Sequence, residues 1–215
     1  MKHRRPHLAL VLLGAVVLVG GAPLQASAQC ATGTATWRSR GTNEYYLCTN
    51  ELDWPSARAA CNAYAASDAT PYYLVRPNDA GENGAIDGWI STDIWIGAND
   101  RTMERGSTRT GWVFSAGLSD TGGGNATYTN WIDGFLGIGD QPDNDTDPCG
   151  SQGEDCVEMR ANGEWNDDRC FCNSAGNNVL NDYMCEGAAR CGNGVHASTE
   201  ACDQGNLVNG DGPGV

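Results

Sequence analysis

The stretch that decides the fold covers residues 141–170 and reads QPDNDTDPCGSQGEDCVEMRANGEWNDDRC. It holds three short clusters of side-chain oxygens, and no histidine stands among them. The clusters are Gln141–Asn144, Glu154–Asp155 and Asn166–Asp168. Carboxylates and amides are hard oxygen donors, which suit Ca²⁺ because this ion takes about six to eight oxygens in a flexible geometry. The stretch is therefore predicted to form a calcium cage that the rest of the chain holds in place.

The amino terminus has the pattern of a secretory signal peptide. Three basic residues precede an apolar run from Leu8 to Val19, and the small residues Ala26 and Ala28 follow it. Because the run is too short and wrongly flanked for a stable membrane span, it predicts a signal peptide over residues 1–28. An uncleaved anchor is the alternative. We expect an exported protein, secreted or at the cell surface, without membrane insertion of the mature chain.

All ten cysteines lie after the predicted cleavage site. An even number of cysteines in an exported chain predicts disulfide bonds. A zinc site is the alternative, but Cys170-Phe171-Cys172 is the only close pair of cysteines, and its spacing does not suit zinc.

The chain is strongly acidic, with a formal net charge of −14. Nucleic acids and anionic membranes are disfavoured as partners, because both bind basic patches. A Ser/His or Cys/His catalytic arrangement is also disfavoured, because His196 is the only histidine after the predicted cleavage site. A carboxylate pair for glycoside hydrolysis stays open as an alternative. We predict that the protein is not an enzyme.

Apolar periodicity predicts a mixture of helices and strands. A helix is expected after Asp53, which can cap it, with Pro55 in the first turn where its missing N–H costs nothing. Residues 77–91 also have a helical apolar face, although three glycines weaken it. Asn162-Gly163 is a signal for a tight turn. Strands are predicted at Tyr72–Val75, Ile94–Ala98, Gly111–Phe114, Cys156–Met159 and Tyr183–Glu186.

Short motifs follow one another along the chain in a fixed order. They are Trp54…Ala57-Arg58…Cys61, Trp95-Ile96-Gly97-Ala98, Gly111-Trp112-Val113-Phe114, Tyr128–Trp131, Gln141-Pro142-Asp143, Gly153–Cys156, Trp165-Asn166-Asp167 and Cys185-Glu186. Together they resemble the C-type lectin-like domain family over residues 30–186. The resemblance implies an α+β fold with two helices, two small antiparallel sheets and a long calcium-binding loop, stapled by disulfides.

The disulfides that the resemblance implies cover six of the ten cysteines. They are Cys61–Cys185, Cys156–Cys170 and, as the extra amino-terminal link of the longer family forms, Cys30–Cys48. The pairing of the other four cysteines stays open. Cys149–Cys172 together with Cys191–Cys202 is one possible arrangement.

The resemblance also implies a Ca²⁺ ion that binds the protein and two neighbouring sugar hydroxyls at once. The residues carried over as both metal ligands and carbohydrate contacts are Gln141, Asp143, Glu154, Asn166 and Asp167. A sugar hydroxyl can bind the ion by a lone pair, donate to a carboxylate and accept from an amide N–H. A cis Gln141–Pro142 bond would aim both flanking side chains at the ion.

The order of amide, proline and acid at 141–143 resembles the galactose-type members, so a galactose-containing glycan is the expected partner. Trp131 or Phe135 would supply the apolar platform for the sugar, since Asn144 follows the tripeptide where galactose binders place a tryptophan.

An accessory calcium site is expected beside the first, with Glu154 shared between the two ions. Its own ligands would be Asp100, Glu104, Asn144 and Asp155. The alternative for acids and amides in such loops is that they form turns and satisfy their own backbone.

The composition changes over residues 187–215 to glycine, asparagine and acid, which marks a domain boundary. The motif Cys191-Gly192-Asn193-Gly194, with Cys202 further on, resembles a truncated Cys-rich repeat of secreted bacterial proteins, notably myxobacterial ones. This implies a bacterial exported protein. Two functions follow as hypotheses: a calcium-dependent carbohydrate-binding module, or a lectin-like fold for protein binding or adhesion in which calcium only orders the loop.

Overall fold

The computed structural model describes residue 30 and the ranges 35–63, 72–134, 139–145, 153–172 and 178–188. The predicted signal peptide, and the predicted tail beyond residue 188, lie outside these ranges. Within them the chain forms two helices and eight strands, in agreement with the predicted α+β class. Neither of these helices is long and apolar enough to cross a membrane.

The two predicted helices and the five predicted strands appear in the predicted order, together with three strands that were not predicted. They are β1 (Ala35–Arg40), β2 (Asn43–Leu52), α1 (Trp54–Ala63), β3 (Tyr73–Leu74), α2 (Ala80–Asp87), β4 (Ile94–Asn99), β5 (Val113–Phe114), β6 (Cys156–Met159), β7 (Trp165–Asp168) and β8 (Asn181–Ala188).

Both helices begin at an aspartate cap. The Asp53 carboxylate accepts the Ser56 N–H at 2.8 Å before α1, as the sequence predicts, and Asp79 accepts the Glu82 N–H at 2.7 Å before α2. The second helix is shorter than the predicted range 77–91. It is held despite its glycines because its buried face, which includes Ile86, packs into the core.

Hydrogen bonding joins all eight strands into one sheet with the order β1-β2-β8-β4-β6-β7, to which β3 adds beside β8 and β5 beside β4. The two antiparallel sheets of the prediction are visible as two antiparallel groups. A short parallel pairing of β4 with β8 connects them through Ile94↔Asp182 and Trp95↔Tyr183. Through this connection, β6 and β7 at one end of the strand order belong to the same sheet as β1 and β2 at the other end.

Four of the five predicted strands differ in length from their predictions. Strand β3 is shorter by one residue at each end, and β4 is longer by one residue. Strand β5 starts at Val113 rather than Gly111, because Gly111 takes a φ of +89° that extended backbone does not allow. Strand β8 runs on to Ala188, because the long strand β2 offers Asn43 and Glu44 as partners.

Four fully buried tryptophans fill the core, and the indole N–H of each has an acceptor: Trp54, Trp95, Trp112 and Trp165. Trp54 donates to the Ile96 carbonyl at 2.8 Å, and Trp95 donates to the Leu52 carbonyl at 2.7 Å. Trp165 donates to a side-chain oxygen on α2. Buried indoles with satisfied N–H groups give a large apolar contact at no polar cost, so Trp95 and Trp165 belong to the core.

The three disulfides that the resemblance implied are present: Cys30–Cys48, Cys61–Cys185 and Cys156–Cys170. Cys172 is also disulfide-bonded. The other cysteines left open by the sequence, Cys149, Cys191 and Cys202, lie outside the described residues. The Cys156–Cys170 bond ties the start of β6 to the chain just after β7, next to the oxygen-rich residues.

Candidate functional site

Three of the predicted primary ligands meet at one point, which we call the primary cluster: Asp143, Glu154 and Asp167. Their carboxylate oxygens lie within 4.8 Å of one another. Asp143 comes from the loop after a cis Gln141–Pro142 bond, which confirms the predicted isomer. Asp167 lies on β7 and is fixed by the sheet, and Glu154 stands two residues before the start of β6.

Hydrogen bonds from the loop to the carboxylates hold the primary cluster together. The two oxygens of Asp167 accept the N–H groups of Asp143 at 3.1 Å and Asn144 at 2.9 Å. An oxygen of Glu154 accepts the Asp145 N–H at 3.2 Å. The loop backbone is therefore folded onto the strand acids, and the remaining lone pairs of these acids are available to a ligand.

The two predicted amide ligands stand next to the cluster acids along the chain. Gln141 flanks the cis bond together with Asp143 and accepts its N–H at 3.2 Å. Asn166 precedes Asp167 on β7 and is buried. Its amide nitrogen donates to the Asp167 carbonyl at 2.8 Å, so this carbonyl oxygen already accepts one hydrogen bond within the protein.

A second group, which we call the accessory cluster, contains Asp100, Glu104 and Asp155, whose carboxylate oxygens also lie within 4.8 Å of one another. Asp100 is only 2% exposed. One of its oxygens accepts the Arg105 N–H at 2.8 Å, and the other is buried with no hydrogen-bond partner in the described part of the chain. A buried oxygen without a donor is costly unless a cation meets it, so this donor set fits a hard divalent ion.

Asn144 connects the two clusters. Its amide nitrogen donates to Glu104 at 3.1 Å, and its amide oxygen accepts the Glu154 N–H at 3.0 Å. Gly153 makes this contact possible, because a Cβ at this glycine would lie 2.1 Å from the Asn144 oxygen. Asn144 thus lies at the predicted accessory site, where it links the acids of both clusters.

Burial raises the pKa of three carboxyl groups in the two clusters. It raises the pKa of Glu154 to about 8, with the nearby Asp167 carboxylate adding to the rise. It raises the pKa of Asp167 to about 7, although backbone N–H donors oppose the change. It also raises the pKa of Asp100 to about 6. The charged forms are disfavoured in these clusters, and a divalent cation would relieve the same cost that protons relieve.

The structure corrects the prediction that Trp131 contacts a sugar. Its side chain is 7% exposed, and its ring packs against Trp112 and Trp165 at centroid distances of 4.9 and 5.8 Å. Its indole N–H donates to the Arg109 carbonyl at 3.2 Å. A ring enclosed in this way cannot offer a face to a sugar, so this part of the prediction is wrong. Phe135, the other predicted platform, lies outside the described residues.

Two residues beside the primary cluster escaped the sequence analysis. The Arg169 guanidinium lies 3.3 Å from a Glu154 oxygen, and the buried Glu158 accepts a hydrogen bond from Asn166 at 3.1 Å. The second contact could have been found from the turn signal at 162–163, because a tight hairpin there sets Glu158 opposite Asn166 in β6 and β7.

Comparison with known proteins gives one family. The family model described as "Lectin C-type domain" matches residues 50–186, which is more than half of the chain. Among curated proteins, the low affinity immunoglobulin epsilon Fc receptor of Mus musculus is 34% identical over 148 residues. This match covers 68% of the chain but only 34% of the receptor, so the chain spans about a third of that relative's length.

Solved structures with the same fold include two carbohydrate-recognition domains. The domain of the mouse scavenger receptor C-type lectin is 25% identical with a TM-score of 0.54, covering 72% of this chain and 96% of its own. The C-type carbohydrate-recognition domain of cow CD23 is 24% identical with a TM-score of 0.53, covering 75% of this chain and 100% of its own. The second likeness concerns the fold alone.

Proposed function

We propose, from the premise that this chain belongs to the Lectin C-type domain family, that it is a calcium-dependent carbohydrate-binding module without catalytic activity. The observation that carries the proposal is the primary cluster, in which Asp143, Glu154 and Asp167 converge within 4.8 Å at the end of a disulfide-tied hairpin. The printed name of the mouse scavenger receptor domain, a carbohydrate-recognition domain, supports the same function.

The residues of the primary cluster would act through oxygen atoms held in advance. When bound there, Ca²⁺ would accept lone pairs from two neighbouring sugar hydroxyls in addition to the protein oxygens. The carboxylates of Asp143 and Glu154 would accept hydrogen bonds from the sugar hydroxyls, and the amide of Gln141 would supply an N–H donor. Because the loop backbone is already bonded to Asp167 and Glu154, little ordering is left to be done on binding.

The sugar class that we propose is galactose-type. Its support is the order of amide and acid around the proline, with Gln141 before and Asp143 after it. Since Trp131 is buried in the core, the site is expected to hold its sugar through the ion and the hydrogen-bonding groups more than through an aromatic platform.

Affinity chromatography tests the function and the sugar class together. We expect the mature chain to be retained on galactose-agarose in calcium and to be released by EDTA, because the chelator removes the atom that joins protein and sugar. Retention on mannose-agarose alone would contradict the galactose preference, and retention that survives EDTA would contradict calcium dependence. The matched control is Asp168→Asn, which removes a carboxylate next to the cluster without removing a predicted ligand.

A second candidate is a protein-binding module in which calcium only orders the loop. The name of the mouse relative, an immunoglobulin receptor, favours it. Binding to a protein partner that free galactose does not compete away, together with no retention on any sugar resin, would support this alternative and overturn the first.

We further infer that the protein is exported, secreted or held at the surface of a bacterial cell. The pattern of residues 1–28 and the cysteine-rich pattern of residues 187–215 support this location. Amino-terminal sequencing of the exported protein should then begin at Gln29, and a mature chain that keeps the apolar run would contradict cleavage.

A further inference from the structure

Arg109 lies beside two chain segments that come together just before the primary cluster, residues 132–134 and 139–141. Its backbone is fixed to the core, because its carbonyl oxygen accepts the indole N–H of the buried Trp131 at 3.2 Å. Its side chain is half-buried, and the guanidinium contacts both segments. Arg109 therefore connects the core to the part of the chain that carries Gln141.

The guanidinium uses both of its terminal nitrogens. Nη1 donates to the carboxylate of Asp133, and Nη2 donates to the Ile132 carbonyl at 3.0 Å. Nη2 also lies 3.9 Å from an oxygen of Asp140. Arginine suits this arrangement, because its planar fork offers several N–H donors in fixed directions. One side chain thus reaches residues of both segments.

Two hydrogen bonds join the same segments directly. The Gln141 N–H donates to the Ile132 carbonyl at 3.0 Å, and the Gly134 N–H donates to an Asp140 oxygen at 2.7 Å. The Ile132 carbonyl therefore accepts from both Gln141 and Arg109, which its two lone pairs allow. Arg109 thus holds the acceptor that fixes the backbone of Gln141, a predicted metal and sugar ligand.

Charge gives the Arg109 guanidinium a second effect on these segments. Asp133 and Asp140 stand on opposite segments, and their carboxylates would repel each other without the positive charge between them. Arg109, Asp133 and Asp140 are 40%, 81% and 46% exposed, so their ion pairs add little to the stability of the whole fold. Their effect is local, because they keep the two segments within hydrogen-bonding distance.

We propose that Arg109 is a positioning residue for sugar binding, which acts through the Ile132 carbonyl on Gln141. The inference rests on the proposed function and deepens it. It names a side chain on which the affinity for sugar depends, although the side chain itself contacts Ile132 and the neighbouring acids and not the primary cluster.

Calcium binding should depend on Arg109 less than sugar binding does. Glu154 and Asp167 accept N–H groups of residues 144–145, and these contacts remain when Arg109 is replaced. Gln141 would lose the support of its backbone, and its amide would have to be ordered each time a sugar binds, which lowers affinity. A selective loss of sugar affinity is therefore the signature of positioning.

Arg109→Met tests the inference, because methionine keeps the backbone carbonyl that Trp131 uses but has no side-chain N–H. At saturating calcium, the affinity of the mature chain for methyl galactoside, measured by nuclear magnetic resonance titration, should fall about tenfold. The calcium affinity, measured by calorimetry, should stay within about threefold of the parent. An unchanged sugar affinity, or an equal loss of both affinities, would overturn the inference.

Arg109→Lys separates the fork of the guanidinium from its charge. Lysine keeps the positive charge near Asp133 and Asp140 but cannot serve both segments with donors in fixed directions. Its sugar affinity should lie between those of the parent and of Arg109→Met. A lysine variant that binds sugar more weakly than Arg109→Met would contradict the proposed role.

Arg40→Met is the matched control. Arg40 is 39% exposed, nearly the same as Arg109, and it also pairs with an exposed aspartate, Asp79, at 3.3 Å. It lies on β1, at the end of the strand order opposite to β7. We expect it to change neither affinity. An equal loss of sugar affinity in the two variants would show that the charge of the whole chain matters and not the position of Arg109.

Hydrogen exchange of the calcium-free chain separates this inference from the proposed function. The Gln141 N–H should exchange about tenfold faster in Arg109→Met than in the parent, because its acceptor is no longer held. The Trp165 N–H, bonded to the Asn130 carbonyl, should keep its rate. Equal rates at Gln141 would overturn the inference. If the parent binds no sugar while the rates differ, the proposed function fails and the effect of Arg109 on Gln141 stands.

Discussion

Glu154→Gln is expected to lower the calcium affinity of the primary cluster by about 100-fold or more and to abolish retention on a sugar resin, because it removes a ligand itself and not a partner of one. Glutamine has almost the same shape but lacks the charge. One of the three converging carboxylates is then lost. The Arg169 guanidinium, which lies 3.3 Å from a Glu154 oxygen, would also lose its negative partner and would repel the ion.

Titration calorimetry with calcium measures the effect, and circular dichroism confirms that the variant is folded. Glu164→Gln is the control, because it removes the same charge from the turn of the same hairpin, where the carboxylate of Glu164 accepts a hydrogen bond from the Asn162 side chain. If the two variants lost affinity equally, the account of Glu154 as a ligand would be wrong, and the acidity of the whole chain would explain the result.

Calcium is expected to stabilise the chain strongly at high pH and hardly at all at low pH. At about one hundred times its dissociation constant, an ion bound only to the native state adds about 2.7 kcal/mol to the free energy of unfolding for each site. The pKa values of Glu154, Asp167 and Asp100 are raised to about 8, 7 and 6, so protons compete with the ion over this range.

The calcium-depleted chain should show the opposite trend with pH. Its native carboxyls bind protons more tightly than those of the unfolded chain, whose pKa values are about 4. This contribution to stability is fully present below about pH 4 and is lost as the pH rises through about 6 to 8. The melting temperature in depleted buffer should therefore fall with rising pH, and the gain from calcium should grow.

Thermal melts at matched pH, with saturating and with removed calcium, separate these contributions. The pKa values of Glu158 and Glu186 are also raised to about 7 by burial, but both groups lie outside the clusters, so they affect the two curves similarly and largely cancel in the difference. A difference between the curves that stays constant from about pH 5 to about pH 8 would show that the cluster acids are not the calcium ligands.

The fold and both clusters were predictable because the decisive signals are local. A proline flanked by an amide and an acid, an acid pair before a cysteine, and Asn166-Asp167 on a strand each occupy a few neighbouring positions. Such short motifs keep their geometry wherever the family fold brings them together. The Cys156–Cys170 disulfide then ties together the two ends of the hairpin beside the last two motifs.

What the sequence could not show depends on packing between distant segments. An aromatic residue at the edge of a loop looks the same whether it faces solvent or core, and only the neighbouring rings of Trp112 and Trp165 place Trp131 inside. The parallel contact of Ile94 with Asp182 likewise joins two segments that are far apart in the sequence. Glu158 appeared as one acid in an alternating strand until its register with Asn166 was known.

The most direct test is a crystal structure of the mature chain grown with Ca²⁺ and a galactoside. We predict an ion bound by oxygens of Gln141, Asp143, Glu154, Asn166 and Asp167 at about 2.3–2.6 Å, with two sugar hydroxyls completing its shell. A primary cluster without an ion at millimolar calcium, or a sugar bound away from this cluster, would contradict the account.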